Sequence, residues 1–313
     1  MDASHLLSNN LGAAITREAS KQTYCIIRLL VDSERIPQAY HAYAYFRWVD
    51  DCLDRELESH AERLKFVGRQ SRLLESLIAH QDPGSLEPEE MMLAELVASD
   101  PVRDSGARSY LRHMMAVMAF DAQRRGRLIS LNELDEYTCH LAVAVMDALH
   151  YFIGYGRHAP NDSTRYAAAS AAHVAHMLRD TLEDVEAGYF NIPREVLKAA
   201  GIGPNEVEHP AYRAWVRARV LFAREQFRIG REYLRRVESL RSRLAGHLYI
   251  SRFQWVLSQI QLDEYLLRPR YPSQKTLRGL TAFSASLLSS LFGNPASHPA
   301  PVGVHTAGQR KDL

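Results

Sequence analysis

At 313 residues with 46% hydrophobic side chains, the chain has ample apolar material for a sizeable core, as one large domain or two smaller ones. Its net charge of +1 supplies no general field for nucleic acid, and no basic run is interleaved with aromatics as a single-strand platform requires. Three widely spaced cysteines, Cys25, Cys52 and Cys139, argue against a disulfide framework or a zinc site and fit a reducing, cytoplasmic setting.

The opening MDASHLLSNNLGAA has no basic region followed by a long apolar core, so no signal peptide is expected, and residues 1–16 read as flexible. From there apolar residues recur at three and four spacing in nearly every segment between breakers. This predicts helices over 17–31, 35–80 with a break near Asp54, 89–98, 105–125, 132–155, 163–187, 194–200, 211–238 and 243–267. Pro, Gly and Asn cluster in the intervening QDPGSLEP, GRHAPND, GIGPNEVEHP and RPRYPS. The stretch LTAFSASLLSSLFG at 280–293 is too short and serine-rich to span a bilayer and reads as a last helix with at most peripheral membrane contact. The tail, 293–313, is expected to be disordered. One all-α domain over 17–292 is the simplest organisation, two helices facing each other across a central cavity.

Those two helices carry acidic stripes. Asp50, Asp51 and Asp54 stand in AYAYFRWVDDCLD, and Asp180, Glu183 and Asp184 in HVAHMLRDTLEDVEAGYFNIP. Residues four apart on a helix point about 40° from each other, so Asp50 and Asp54 share one face and Asp180 and Asp184 another. Tyr43 and Phe46 fall on the first acidic face, and apolar neighbours raise the cost of uncompensated carboxylates. Hard oxygen donors without thiolates suit Mg²⁺, which shares its shell with substrate phosphates. Arg47 and Arg179 precede the stripes with forks matched to phosphate oxygens, so the pattern predicts a Mg²⁺-diphosphate site.

With these residues in view the chain resembles the squalene and phytoene synthases, the head-to-head branch of the trans-isoprenyl diphosphate enzymes. The family's R-x-x-D-D-x-x-D is matched by Arg47 through Asp54. Its R-D-x-x-E-D-x-x-x-G-x-x-x-x-P is matched by Arg179, Asp180, Glu183, Asp184, Gly188 and Pro193. The resemblance implies an all-α isoprenoid-synthase helical bundle that binds prenyl diphosphate through Mg²⁺. Lys21 and Thr23 lie where the family has a phosphate-proximal Ser followed by an aromatic, and are expected as phosphate contacts. Asp121 through Arg127 lies where the family has D-x-x-x-x-R, with Asp121 one residue out of step.

The chain also departs from the family. Two glycines of its pocket helix are replaced by Val143 and Met146, which are expected to reshape the substrate pocket, and its coupling tyrosine is replaced by His140. His173 and His176 stand in place of amides on the Asp180 face, adding contacts and proton-transfer capacity near neutral pH. These departures favour a Mg²⁺-dependent prenyltransferase that moves a dimethylallyl-type group onto a small aromatic acceptor such as a carbazole or indole, with His140 as the pocket base. The alternative is head-to-head joining of two prenyl diphosphates. A di-metal oxidase finds only Glu206 and His209 at the required spacing, in a Pro-bounded loop, and a purely structural helical protein leaves the paired stripes unexplained.

Overall fold

The computed structural model describes residues 3–271; the predicted helix at 280–293 and the tail lie outside them. Among the described residues there are eleven α-helices and no strand, only an isolated bridge between Leu128 and Phe190. None of these helices is long and apolar enough to cross a membrane.

The first difference from the sequence reading is at the N-terminus. Residues expected to be flexible form α1 (Ala3–Ala19), packed on α3 (Ile36–Asp51). Gly12 permits that contact, because a Cβ there would meet the His41 ring at 2.9 Å. The helix expected over 17–31 is divided at Ser20, whose side chain accepts from Thr23 N–H and caps α2 (Lys21–Leu30).

The long helix expected over 35–80 breaks near Asp54 as predicted. After α3 the chain loosens into a π-helical turn, Cys52–Glu56, closed by the Leu57 N–H on the Cys52 carbonyl at 3.1 Å. It restarts at the Ser59/Glu62 capping box of α4 (His60–Ile78). There follow α5 (Pro88–Ala98), α6 (Gly106–Arg124), α7 (Leu131–Phe152), α8 (Ala167–Ala187), α9 (Arg194–Ala200), α10 (Pro210–Arg235) and α11 (Leu240–Leu262).

Two apolar cores meet along α7. One gathers residues of α2 to α7, including Phe46, Val49, Leu111 and Tyr137; the other joins α7 to α8, α10 and α11 through Ala142, Met146, Ala172, Phe227 and Leu257. Small residues let α8 and α10 approach closely, since a Cβ on Gly230 would lie 2.6 Å from that of Ala168. One acidic stripe rides on a helix of the first core and the other on a helix of the second.

Candidate active site

Asp50 closes the α3 face inward. Its carboxyl is pushed up to about 7 by burial and then by Asp54, with Asp121 adding to the repulsion and Arg47 opposing it. Asp51 points elsewhere: Arg47 grips it through Nε at 2.9 Å and a second contact, and Arg55 adds an ion pair at 3.3 Å. Asp51, expected as a metal ligand, thus has its oxygens engaged by guanidinium in this arrangement. Asp54, on the π turn, is exposed and accepts from the Tyr189 hydroxyl at 2.9 Å.

The α8 stripe divides in the same manner. Burial pushes Asp180 up, but hydrogen bonds from His176 and Arg179 outweigh it and hold the carboxyl well below the usual range. Arg179 makes two contacts of 2.6 Å with Asp180, and His176 Nε2 stands 3.0 Å away. Asp184 is pushed up to about 7, first by burial and then by Asp180, against the pull of Arg124 and Asn191. Glu183 is exposed to solvent.

A buried network runs from Asp121 to the α8 stripe. Asp121 of α6 accepts from Arg124 Nε at 2.6 Å and from the Tyr137 hydroxyl at 3.0 Å; Arg124 also donates to Asn191 Oδ1 at 2.7 Å, and Asn191 Nδ2 donates to Asp184 at 2.6 Å. Tyr189 and Asn191 reach the site because α8 ends at Gly188, in the left-handed region at φ +86. Its carbonyl accepts from Gly126 N–H at 2.8 Å, so the loop after α8 lies against the loop after α6. Burial raises Asp121, with Arg124 and Tyr137 opposing, so the centre carries more carboxylate than guanidinium offsets.

A cationic rim lies on the other side. Arg252 of α11 feels the charges of Arg179, Tyr43 and Asp180, and burial pushes its pKa down. Tyr43 in turn feels Arg47, Arg252 and Asp50 and is hydrogen-bonded to Thr23. Thr23, Tyr43, Arg47, Arg179 and Arg252 thus border one region with the two stripes. Lys21 is exposed in the first turn of α2, two residues from Thr23.

Other expected site residues are placed differently. Phe46 is a core side chain, edge-on to Tyr110 at 5.5 Å, instead of a pocket wall. His173 is buried against the Tyr137 ring at 4.9 Å with both nitrogens unpartnered, and desolvation holds it neutral, which removes the expected proton-transfer role near neutral pH. His140 Nδ1 lies 2.8 Å from His113 Nδ1 and its Nε2 3.7 Å from Glu136; neither partner belongs to a stripe. Met146 is buried in the second core, and Val143 lines a separate cleft. Arg125 donates to the Ala187 carbonyl and Arg127 pairs with Glu133, the α7 capping residue.

Among the described residues no three His, Cys, Asp or Glu side chains converge tightly enough to enclose a metal ion unaided. The donor set still fits Mg²⁺: it is all oxygen, two of its carboxylates are pushed up to about 7 by burial and a neighbouring aspartate, and this ion keeps waters and shares its shell with substrate phosphates.

The solved structures show that this α-helical bundle is the isoprenoid-synthase fold. The chain superposes on squalene synthase HpnC from Alicyclobacillus acidocaldarius with a TM-score of 0.67 at 18% identity, covering 86% of this chain and 98% of that one. A dehydrosqualene synthase in complex with ligand gives 0.68 at 15% identity, covering 90% and 96%. Residues 16–277 match the family model described as squalene/phytoene synthase, and the chain belongs to that family. It is 29% identical over 208 residues to presqualene diphosphate synthase of Zymomonas mobilis subsp. mobilis, a match spanning 64% of this chain and 65% of that relative.

Proposed function

We propose that the chain is a Mg²⁺-dependent prenyltransferase joining two prenyl diphosphates head to head. The observation that carries this reading is the loop after α8, which ties into both stripes through Tyr189 on Asp54 and Asn191 on Asp184, with Arg124 joining Asn191 to Asp121. The family match supports the same reaction class.

Asp50, Asp54, Asp180 and Asp184 would hold Mg²⁺, which when bound supplies Lewis-acid neutralisation of the leaving diphosphate. Arg47, Arg179 and Arg252 bind its outer oxygens, with Thr23 and Lys21 at the edge of the same anion receptor. The allylic C–O bond breaks with its electron pair going to diphosphate. The C1 cation is captured by the alkene of the second molecule, and loss of a proton to the released diphosphate closes a cyclopropane. Tyr43 presents an aromatic face to the cation.

The aromatic-acceptor reading rested on His140 as base and on a reshaped pocket. His140 paired with His113, and Met146 enclosed in the core, leave it without a residue at the site. The test is to incubate purified protein with Mg²⁺ and geranyl or farnesyl diphosphate, with and without carbazole or indole, and follow products by mass spectrometry. A cyclopropyl diphosphate or hydrocarbon formed without acceptor supports the proposal; an adduct formed only with the aromatic would overturn it.

A further inference from the structure

None of the stripe residues lines a second hollow, a half-open cleft of about 230 Å³ between α7, α10 and the start of α8. Val143, Tyr166 and Phe222 give it apolar walls, Asp135, Thr138, Ser170 and Gln226 add polar groups, and Arg219 stands among them. The guanidinium lies over the Phe222 ring, 5.1 Å from its centroid, and makes no hydrogen bond or ion pair with any described residue. Burial pushes its pKa down, while Asp135, close enough to act on it through space, partly offsets this. A partly buried arginine without a direct hydrogen-bonding partner gains from an anion that joins its fork.

We propose that this cleft binds a compact apolar carboxylate, its carboxyl group on the Arg219 fork and its ring or chain against Phe222, Tyr166 and Val143. An arginine fork matches a carboxylate with two parallel hydrogen bonds. One guanidinium with Asp135 beside it suits a single negative charge and disfavours a dianionic phosphate monoester. The volume lies below the ~300 Å³ at which drug-sized sites begin, which restricts the ligand to a small ring system or a short chain.

Cys139 gives a readout independent of prenyl transfer. It is exposed and lines the cleft, whereas Cys25 is exposed outside it and serves as internal control. The full-length protein would be alkylated with iodoacetamide in the presence of naphthoate, octanoate, naphthamide or naphthyl phosphate, and each cysteine followed by peptide mass spectrometry. Both carboxylates should slow Cys139 without affecting Cys25, and the amide and the phosphate should protect far less. Arg219→Gln should weaken protection by about tenfold or more in ligand concentration, with an unchanged circular dichroism spectrum, and Arg219→Lys should restore part of it. No protection by either carboxylate, equal protection by the amide or the phosphate, or full protection in a folded Arg219→Gln variant would overturn the proposal.

Discussion

The two acidic stripes share a spacing and differ in backbone. On α8 the pair Asp180 and Asp184 sits on a regular α-helix ended by Gly188, whereas on α3 the pair spans an α-helix and a π turn, so Asp54 leaves the ideal α-helical register of Asp50. They nonetheless reach the same electrostatic division. In each stripe one carboxylate is gripped closely by arginine, Asp51 by Arg47 and Asp180 by Arg179, and one is pushed up to about 7, Asp50, which Arg47 also reaches at 3.2 Å, or Asp184. Helical spacing brings carboxylates to one face; burial and neighbouring charge decide which of them is disfavoured without a metal.

The sharpest way to break this division is to neutralise the two disfavoured carboxylates. Asp50→Asn or Asp184→Asn should lower kcat by about a thousandfold, on the scale of losing a key electrostatic contact, measured with prenyl diphosphate and saturating Mg²⁺. The same changes should raise Tm in metal-free buffer at pH 8, because each removes a charge that burial and a neighbouring aspartate disfavour; a lower Tm would show that the pairing of these carboxylates outweighs that cost. Arg124→Ala strips Asp121 of its partner and should destabilise the fold by about 3–5 kcal/mol in urea unfolding, with little loss if the link from Asp121 to the α8 stripe is incidental.

Tyr189→Phe removes one charge-assisted hydrogen bond to Asp54 and should reduce kcat about tenfold, sharpening the comparison at the π turn. A smaller effect is expected from pH. Asp50 and Asp184 have folded pKa values raised from 3.8 to about 7, so their contribution to stability is present below about 4 and lost as pH rises through 7. The part of Tm carried by these groups should fall by a few °C from pH 5 to pH 8 in metal-free protein. Mg²⁺ should raise Tm more at pH 8 than at pH 5, and a Mg²⁺ effect that does not change with pH would contradict the assignment. The smallest effect is predicted for His140→Ala, which should stay within about threefold of the parent kcat, as expected of a side chain outside the site.

Much of this was legible in the chain. The 3.6-residue period revealed most helices, and the DxxxD spacing singled out Asp50, Asp54, Asp180 and Asp184, because both are properties of local sequence. Tyr189, Asn191 and Arg252 were missed: they reach the site through a loop after Gly188 and a helix some seventy residues on, and no local periodicity encodes that. Asp121 stood out only as a misregistered motif: Arg124 is its neighbour three residues on in α6, but Tyr137 reaches it only through the packing of α6 on α7. Spacing and alignment put Asp51 and His140 in line with functional positions, and neither could reveal that Arg47 and His113 contact them.

The most direct measurement is a double-mutant cycle on binding of a non-hydrolysable prenyl thiodiphosphate with Mg²⁺ by calorimetry, using the parent, Asp50→Asn, Asp184→Asn and the double variant. A single shared site predicts that the double variant binds little worse than either single one. Losses that add to within about 0.5 kcal/mol would mean that the two stripes act independently, and the account of one joined site would be wrong.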